Sequence, residues 1–421
     1  MWLNFWRRLS GNNNKSGERA PITHNCLKNV LTLAQIVGIF PVGNVRNSDP
    51  SKVEFRFKSW KILYAFLISF GFLFCGGFSF YKSMTVGILL NQLISPLFFI
   101  HAFITSLCFY NLAYKWPDFL THWTKIEDHV LKNYKTTADL YKRIQYSGVA
   151  MVIVALLEHA LSVCNYVYSS TCQNDAEGAE HIFKKQFHFI FTYMPYNFVS
   201  GLVLTFISWT ATVVWNFGDI FIILISIIMT ERFRQINLKM KITTEEICTR
   251  YNSADGKALW RQIREDYDNM NNIMRSLDQL LSNLVLLSYS CNLTFILIQL
   301  FNSLRQMGSI IEGIYFFYSF GFVISRIVFV SIFGAFINEE SQAALPYLTS
   351  LPSEFYNEEI QRLITQIHVD SVALTGHNFF RVTKGLVLSV AAAIITYELV
   401  LIQFNQATLN KYMTANETIC F

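Results

Sequence analysis

GLVLSVAAAIITYELVLIQF, residues 385–404, is the stretch whose reading decides the fold. A bilayer core of about 30 Å needs roughly 20 apolar helical residues, and this stretch supplies them. Its last third nevertheless carries Thr396, Tyr397, Glu398 and Gln403. A carboxylate at the depth of Glu398 costs roughly 2.5–3.5 kcal/mol against lipid. Such a residue faces protein or water, so the stretch is a candidate wall of a pathway rather than a simple anchor.

The composition agrees with a membrane protein. The chain is 52% apolar and only 15% charged, with 38 Phe; soluble domains carry about 25% charged residues. The mean hydropathy is +0.31. The net charge of +5 is too modest to argue for nucleic-acid binding and reads instead as membrane orientation. Met1 to Leu9 does not resemble a cleaved leader, so the first long apolar run is expected to act as an uncleaved insertion signal.

Apolar runs fall at Trp60–Phe80, Thr85–Tyr110, Ile144–Ser169, Asn197–Thr230, Leu284–Leu304, Gly313–Ile337 and Gly385–Phe404. The fourth run, counted from Phe187, is long enough for two spans. Charge decides for one. With seven spans and the N-terminus inside, the cytoplasmic segments hold 27 Lys and Arg and the outer segments 5. That is the positive-inside pattern, and eight spans would spoil it. Phe187–Pro195 therefore reads as outer chain packed on protein, and the helix from Asn197 as running on into the cytoplasm. The expectation is an all-α bundle of seven transmembrane helices, N-terminus inside and C-terminus outside. It divides into a cytoplasmic segment 1–59, a membrane domain 60–404 with helical extensions 231–283 and 338–384, and an outer tail 405–421. The tail holds a glycosylation sequon at Asn416.

The extensions are patterned. Leu259, Ile263, Tyr267, Met270, Met274, Leu277, Leu281 and Leu284 recur in steps of three and four, one apolar seam running into the fifth span. The seam can be buried within one subunit or against further copies. Ser353 is placed to cap a helix carrying Ile360, Leu363, Ile364 and Ile367. The run from His122 to His129 mixes acid and imidazole without the spacing of a metal or acyl-transfer site, and reads as a solvated face. Eight cysteines show no CxxC pair. Cys172 and Cys420 share the outer side, which leaves a bridge between them open.

Three stretches carry a family resemblance. Thr396-Tyr397, five further positions and Gln403-Phe404 resemble the TYhhhhhQF signature of insect gustatory receptors, with Glu398 the one departure. Leu374-Thr375-Gly376-His377-Asn378-Phe379-Phe380 is similar to that family's approach to its last helix. Ile39 to Val45, followed by Phe55 to Trp60, is similar to the N-terminal region of the sugar-receptor branch. The resemblance implies a tetrameric, non-selective cation channel of sensory-cell plasma membranes, lined by the last helix and opened by a sugar, with the Gln-Phe pair near the gate.

The residues can be read for those roles. Thr396, Val400 and Gln403 share one helix face, with Tyr397, Leu401 and Phe404 beside it. The face is either a packing seam or, with copies around an axis, a pore wall. In the pore reading Phe404 would close it, Gln403 would hydrate an ion and Glu398 would favour cations. Glu158, His159, Asn292 and Gln299 lie in the middle or outer half of their spans. Tyr193, Asn197, Trp209, Tyr315 and Tyr318 lie near the outer ends. Each could simply bond between helices. Together they offer the amides, carboxylate and aromatic faces that a sugar needs. Asp219 and Arg326 sit deeper and suit a charge pair. No enzyme, metal or cofactor motif is expected. The competing class is a seven-helix receptor coupled to a G protein, without a pore; it requires an outer N-terminus, against the charge count.

Overall fold

A computed structural model describes residues 23–86, 90–134, 140–171, 179–250, 253–303 and 309–417. Among them there is no strand; α1 is Thr23–Ile36, α2 Trp60–Val86, α3 Leu90–Asn133 and α4 Leu140–Thr171. Two short helices follow, α5 Ala179–Gln186 and α6 His188–Phe191, then the long α7 Phe198–Arg250 and α8 Ser253–Ser303. The chain ends with α9 Ile310–Gln342, α10 Leu345–Thr349, α11 Glu358–Val369 and α12 Lys384–Glu417.

Helix α7 is the hub. Every residue from 214 to 233 is buried. A helix apolar on all sides belongs at the centre of a bundle, which is why this run shows no amphipathic period. α3, α4, α8 and α9 pack around it, and α2 lies along α3. The outer helices turn apolar side chains outward instead: Leu63, Phe66, Leu67 and Phe70 on α2, and Val149, Ile153, Leu156 and Leu157 on α4, are all exposed. Water would not tolerate such faces, whereas lipid matches them. Six described helices are long and apolar enough to cross a membrane. The seventh expected span lies in α12, which is one unbroken helix of 34 residues.

The double-length apolar run resolves as one spanning helix. Phe187 caps α6, within which Phe189 and Ile190 are buried, a turn follows, and α7 begins at Phe198 and continues for 53 residues. The seam on α8 is buried inside a single chain: Ile263, Tyr267, Met270, Met274, Leu277 and Leu281 are at most 1% exposed. It needs no second copy to cover it.

Two local expectations are corrected. The cap of α11 is Asn357, whose Oδ1 accepts from the amides of Glu359 and Ile360 at 3.0 and 3.1 Å; Ser353 opens a short 3-10 turn instead. In the run His122–His129 the expected solvated face holds for His122, Lys125, Asp128 and His129, which are exposed, and fails at Glu127, which turns inward. Glu127 is 1% exposed, pairs with the fully buried Arg232 and accepts from the Thr23 amide. Paired in this way, a charge can be buried without a stranded partner. The contact ties α1, α3 and α7 together over more than a hundred positions. Cys172 and Cys420 lie outside the described residues.

Candidate functional site

Two facing helices build the site. On α8, Ser288, Asn292 and Gln299 follow steps of four and seven, which keeps them on one face. On α9, Tyr315, Ser319 and Arg326 repeat the same steps. The two helices run in opposite directions, so Gln299 meets Ser319 at one level, and Ser288 and Asn292 come to the level of Arg326 at the other.

At the first level Gln299 Nε2 donates to Ser319 Oγ at 3.1 Å, and Ser319 donates to Glu158 on α4 at 3.1 Å. Tyr315 faces Ser162 and Ser319. The Tyr318 hydroxyl donates to the Val154 carbonyl at 3.2 Å. Glu158 and Ser319 are 7% and 6% exposed.

At the second level Asp219 on α7 is the hub. Its Oδ1 accepts from Ser288 at 2.5 Å, and its Oδ2 accepts from Asn292 at 3.0 Å and from Arg326 Nε at 2.8 Å. Arg326 also donates to the Trp215 carbonyl at 3.0 Å and lies over that indole ring, 4.4 Å from its centroid. The expected deep charge pair is therefore present, and Asn292 belongs to it rather than to the Glu158 level.

Burial leaves polar capacity unused. Gln299 Oε1, Asn292 Oδ1 and Arg326 Nη1 are buried without a hydrogen-bond partner. An unmade bond of this kind costs about 1–3 kcal/mol, more for a charged group. Acceptors and donors spread along one helix interface are what a polyhydroxylated molecule or ordered water would satisfy.

The remaining sequence candidates do not converge on this interface. The Tyr193 ring packs on Tyr81 and Phe78 of α2, at 5.5 and 6.3 Å between centroids. Asn197 caps α7, its Oδ1 accepting from the Val199 amide at 3.0 Å. Trp209 is exposed and stacks with Phe206 on a face that also carries Leu202 and Val203. His159 is half-buried. A shallow groove of 430 Å3 along α2, lined by Phe70, Leu73, Phe74, Gly77, Phe78 and Tyr81, is apolar and meets neither polar level. Sequence reasoning missed Ser288, Ser319 and Trp215. The repeated four-and-seven spacing of polar residues on both spans was the available signal for the two serines.

Among the described residues, helix α12 packs on the rest of the chain along one line. Leu386, Val390 and Ile394 pack on the core, and Glu398, one turn on, is half-buried. Thr396, Tyr397, Val400 and Gln403 are exposed. One oxygen of Glu398 is buried without a partner. The side chains of Phe404 and Asn416 lie outside the described residues.

The model of the trehalose receptor family matches residues 12–412. The chain is 32% identical over 400 residues to the gustatory receptor for sugar taste 64a of Drosophila melanogaster, an alignment covering 92% of this chain and 86% of that protein. It is 28% identical over 394 residues to gustatory receptor 5a for trehalose of the same species, covering 91% and 85%. Among solved structures it is similar to the insect olfactory receptor OR5 from Machilis hrabei, with a TM-score of 0.66 at 12% identity over 90% of this chain and 97% of that one. The same receptor in complex with eugenol gives a TM-score of 0.64.

Proposed function

The chain belongs to the trehalose receptor family, the sugar branch of the insect gustatory receptors, and from that premise we propose that it is a sugar-gated cation channel. It is a multi-pass membrane protein and a taste receptor by family. The sugar, the pore and the assembly are our reading.

The observation that carries the sugar reading is the set of unsatisfied buried groups between α8 and α9. Gln299, Asn292 and Arg326 offer both acceptors and donors, and Trp215 and Tyr315 supply aromatic surface beside them. A carbohydrate presents hydroxyls that both donate and accept, and C–H faces that stack on rings. Two relatives are named for sugar taste and for trehalose. Tyr193, Asn197, Trp209 and His159 make no contact with this set and take no part in the site in this reading.

The pore reading rests on α12. A lone copy leaves Thr396, Val400 and Gln403 uncovered. One helix cannot enclose water, so copies around an axis are required; four is the number the family resemblance implies, from one kind of subunit or several. Gln403 would then ring the conduit, Phe404 would close it by dewetting, and Glu398 would favour cations. In this arrangement the N-terminus is cytoplasmic and the C-terminus outside, in the plasma membrane of sensory neurons. A sugar that binds the open state more tightly shifts the balance towards it.

Recording from cells expressing the chain, with trehalose, sucrose, maltose, glucose and fructose applied in turn, tests the proposal. Evoked cation current is expected with at least one of them. Silence from protein shown to be at the cell surface overturns it. Tags at each end, probed in unpermeabilised cells, check the orientation: only the C-terminal tag should be reached.

A further inference from the structure

The segment between α11 and α12 is gripped from both sides by the two helices that build the site. Residues Thr375 and Arg381 bridge across a tight turn in which His377 and Asn378 both adopt left-handed backbone, φ 50° and 62°. From α8, Asp278 accepts from the Thr375 amide at 2.6 Å and from its hydroxyl at 2.8 Å. From α9, Asn338 donates to the Val372 carbonyl at 3.1 Å, and Glu339 pairs with Lys384, the first residue of α12. Gly334 leaves room for Val382: a Cβ there would come within 2.7 Å of the valine side chain.

One contact joins both grips to the site. The Phe380 ring lies edge-on to Tyr289 at 4.9 Å, and the Tyr289 hydroxyl meets Ser331 of α9 at 2.6 Å. Ser331 donates to the Ile327 carbonyl at 2.7 Å, so the tyrosine is the donor in the shared bond. Tyr289 is 3% exposed and follows Ser288, the residue that holds Asp219. Gln299 lies ten positions further along the same helix, about 15 Å at 1.5 Å per residue.

We infer that this turn is the coupling element of the channel, and that Tyr289 and Phe380 are positioning residues through which the α8–α9 pair sets the angle of α12. The inference rests on the site reading given above. A packed helix moves as a rigid piece, so a sugar that changes how α8 and α9 sit at Gln299 and Ser319 must also change how they sit at the turn. The turn has little freedom to absorb the shift, because it is bonded to α8 at Thr375 and to α9 at Val372 and Lys384. It passes the shift to Lys384.

The two-state balance gives a signature that a packing role lacks. A residue in the sugar site alters the half-maximal sugar concentration and leaves the sugar-free current alone. A residue that sets the closed–open balance moves both, with higher sugar-free current accompanying a lower half-maximal concentration, or the reverse. The experiment compares wild type, Tyr289→Phe, which removes only the hydroxyl, and Phe380→Leu, which removes the ring. Each is measured at matched surface level with the most effective of the five sugars. Both variants are expected to move the two quantities together by about three-fold or more. The pair of substitutions combined should differ from the product of the two single effects, because they act on one contact. If Phe380→Leu does not reach the surface, Tyr289→Phe alone decides. A responding wild type whose variants leave the sugar-free current unchanged overturns the coupling while the sugar site stands. A silent wild type at the surface overturns the site reading and this inference with it.

Discussion

Asp219 and Arg326, on α7 and α9, form an ion pair at 2.7 Å with both side chains less than a tenth exposed. Their helices are held at the centre of the bundle by this bond and by the Ser288 and Asn292 contacts that share the carboxylate. Removing one partner leaves a buried charge, which costs about 3–5 kcal/mol. Asp219→Asn or Arg326→Gln should therefore lower the melting temperature in detergent and deplete the protein at the cell surface. The double change Asp219→Leu with Arg326→Met should be milder than either single change. A double variant as unstable as the sum of its parts would show that the pair is not what holds this level together.

Gln299 makes its bond to Ser319 at the same level as the Glu158 carboxyl. Gln299→Leu keeps the volume of the side chain close to native and removes both the donor and the unpartnered acceptor. If a sugar hydroxyl is bound there, losing about 1.4 kcal/mol of hydrogen bonding raises the half-maximal concentration about ten-fold. Dose–response curves at matched surface level check this. An unchanged curve would place the sugar elsewhere.

Gln403 is exposed on the face of α12 that the lone chain leaves uncovered. In the pore reading, Gln403→Lys places a ring of positive charge in the conduit and should abolish cation current while surface level is kept. Val400→Cys, on the same exposed face, should form covalent dimers between copies under mild oxidation. Cation current unaffected by the lysine would remove α12 from the pore.

His24 gives a pH dependence outside the membrane spans. Its Nε2 donates to the Asn47 carbonyl at 2.9 Å, and burial pushes the ring below its ordinary value of 6.5. As the pH falls, the unfolded chain takes up this proton first. The stability that the neutral ring contributes is therefore complete above 6.5 and is lost as the pH drops from there through the lowered folded value. The melting temperature should fall on acidification from about pH 8 to about pH 5. His24→Gln, which can keep a donor to the carbonyl, should flatten that part of the curve. Equal slopes for the two proteins would exclude the ring as the source.

How far the sequence could be read depended on whether a feature was written along one helix or between several. The seam from Ile263 to Leu281 was visible as a period, and every one of those seam positions is buried. The long apolar run ending at Thr230 was legible as a single helix running on past the apolar stretch, and α7 continues unbroken from Phe198 to Arg250. Glu127 was misread because its burial depends on Thr23 and Arg232, which its own neighbours in sequence do not announce. Ser353 and Asn357 are both competent caps, and the choice between them was made by where the 3-10 turn ends and α11 begins.

By itself the sequence determined the all-helical character, six described helices long and apolar enough to cross a membrane, and the last helix as the unusual one, since hydropathy and periodicity are properties of a single helix. The tertiary structure decided which polar residues share a site. Asn292 and Gln299 stand on one face of one helix, yet Asn292 joins Asp219 and Gln299 joins Ser319. Tyr193, Asn197 and Trp209 are near them in expected depth and still point elsewhere. Spacing fixes a residue's angle about its own helix axis. What that angle faces is fixed by how neighbouring helices cross and at what level, and this depends on packing summed over the whole bundle.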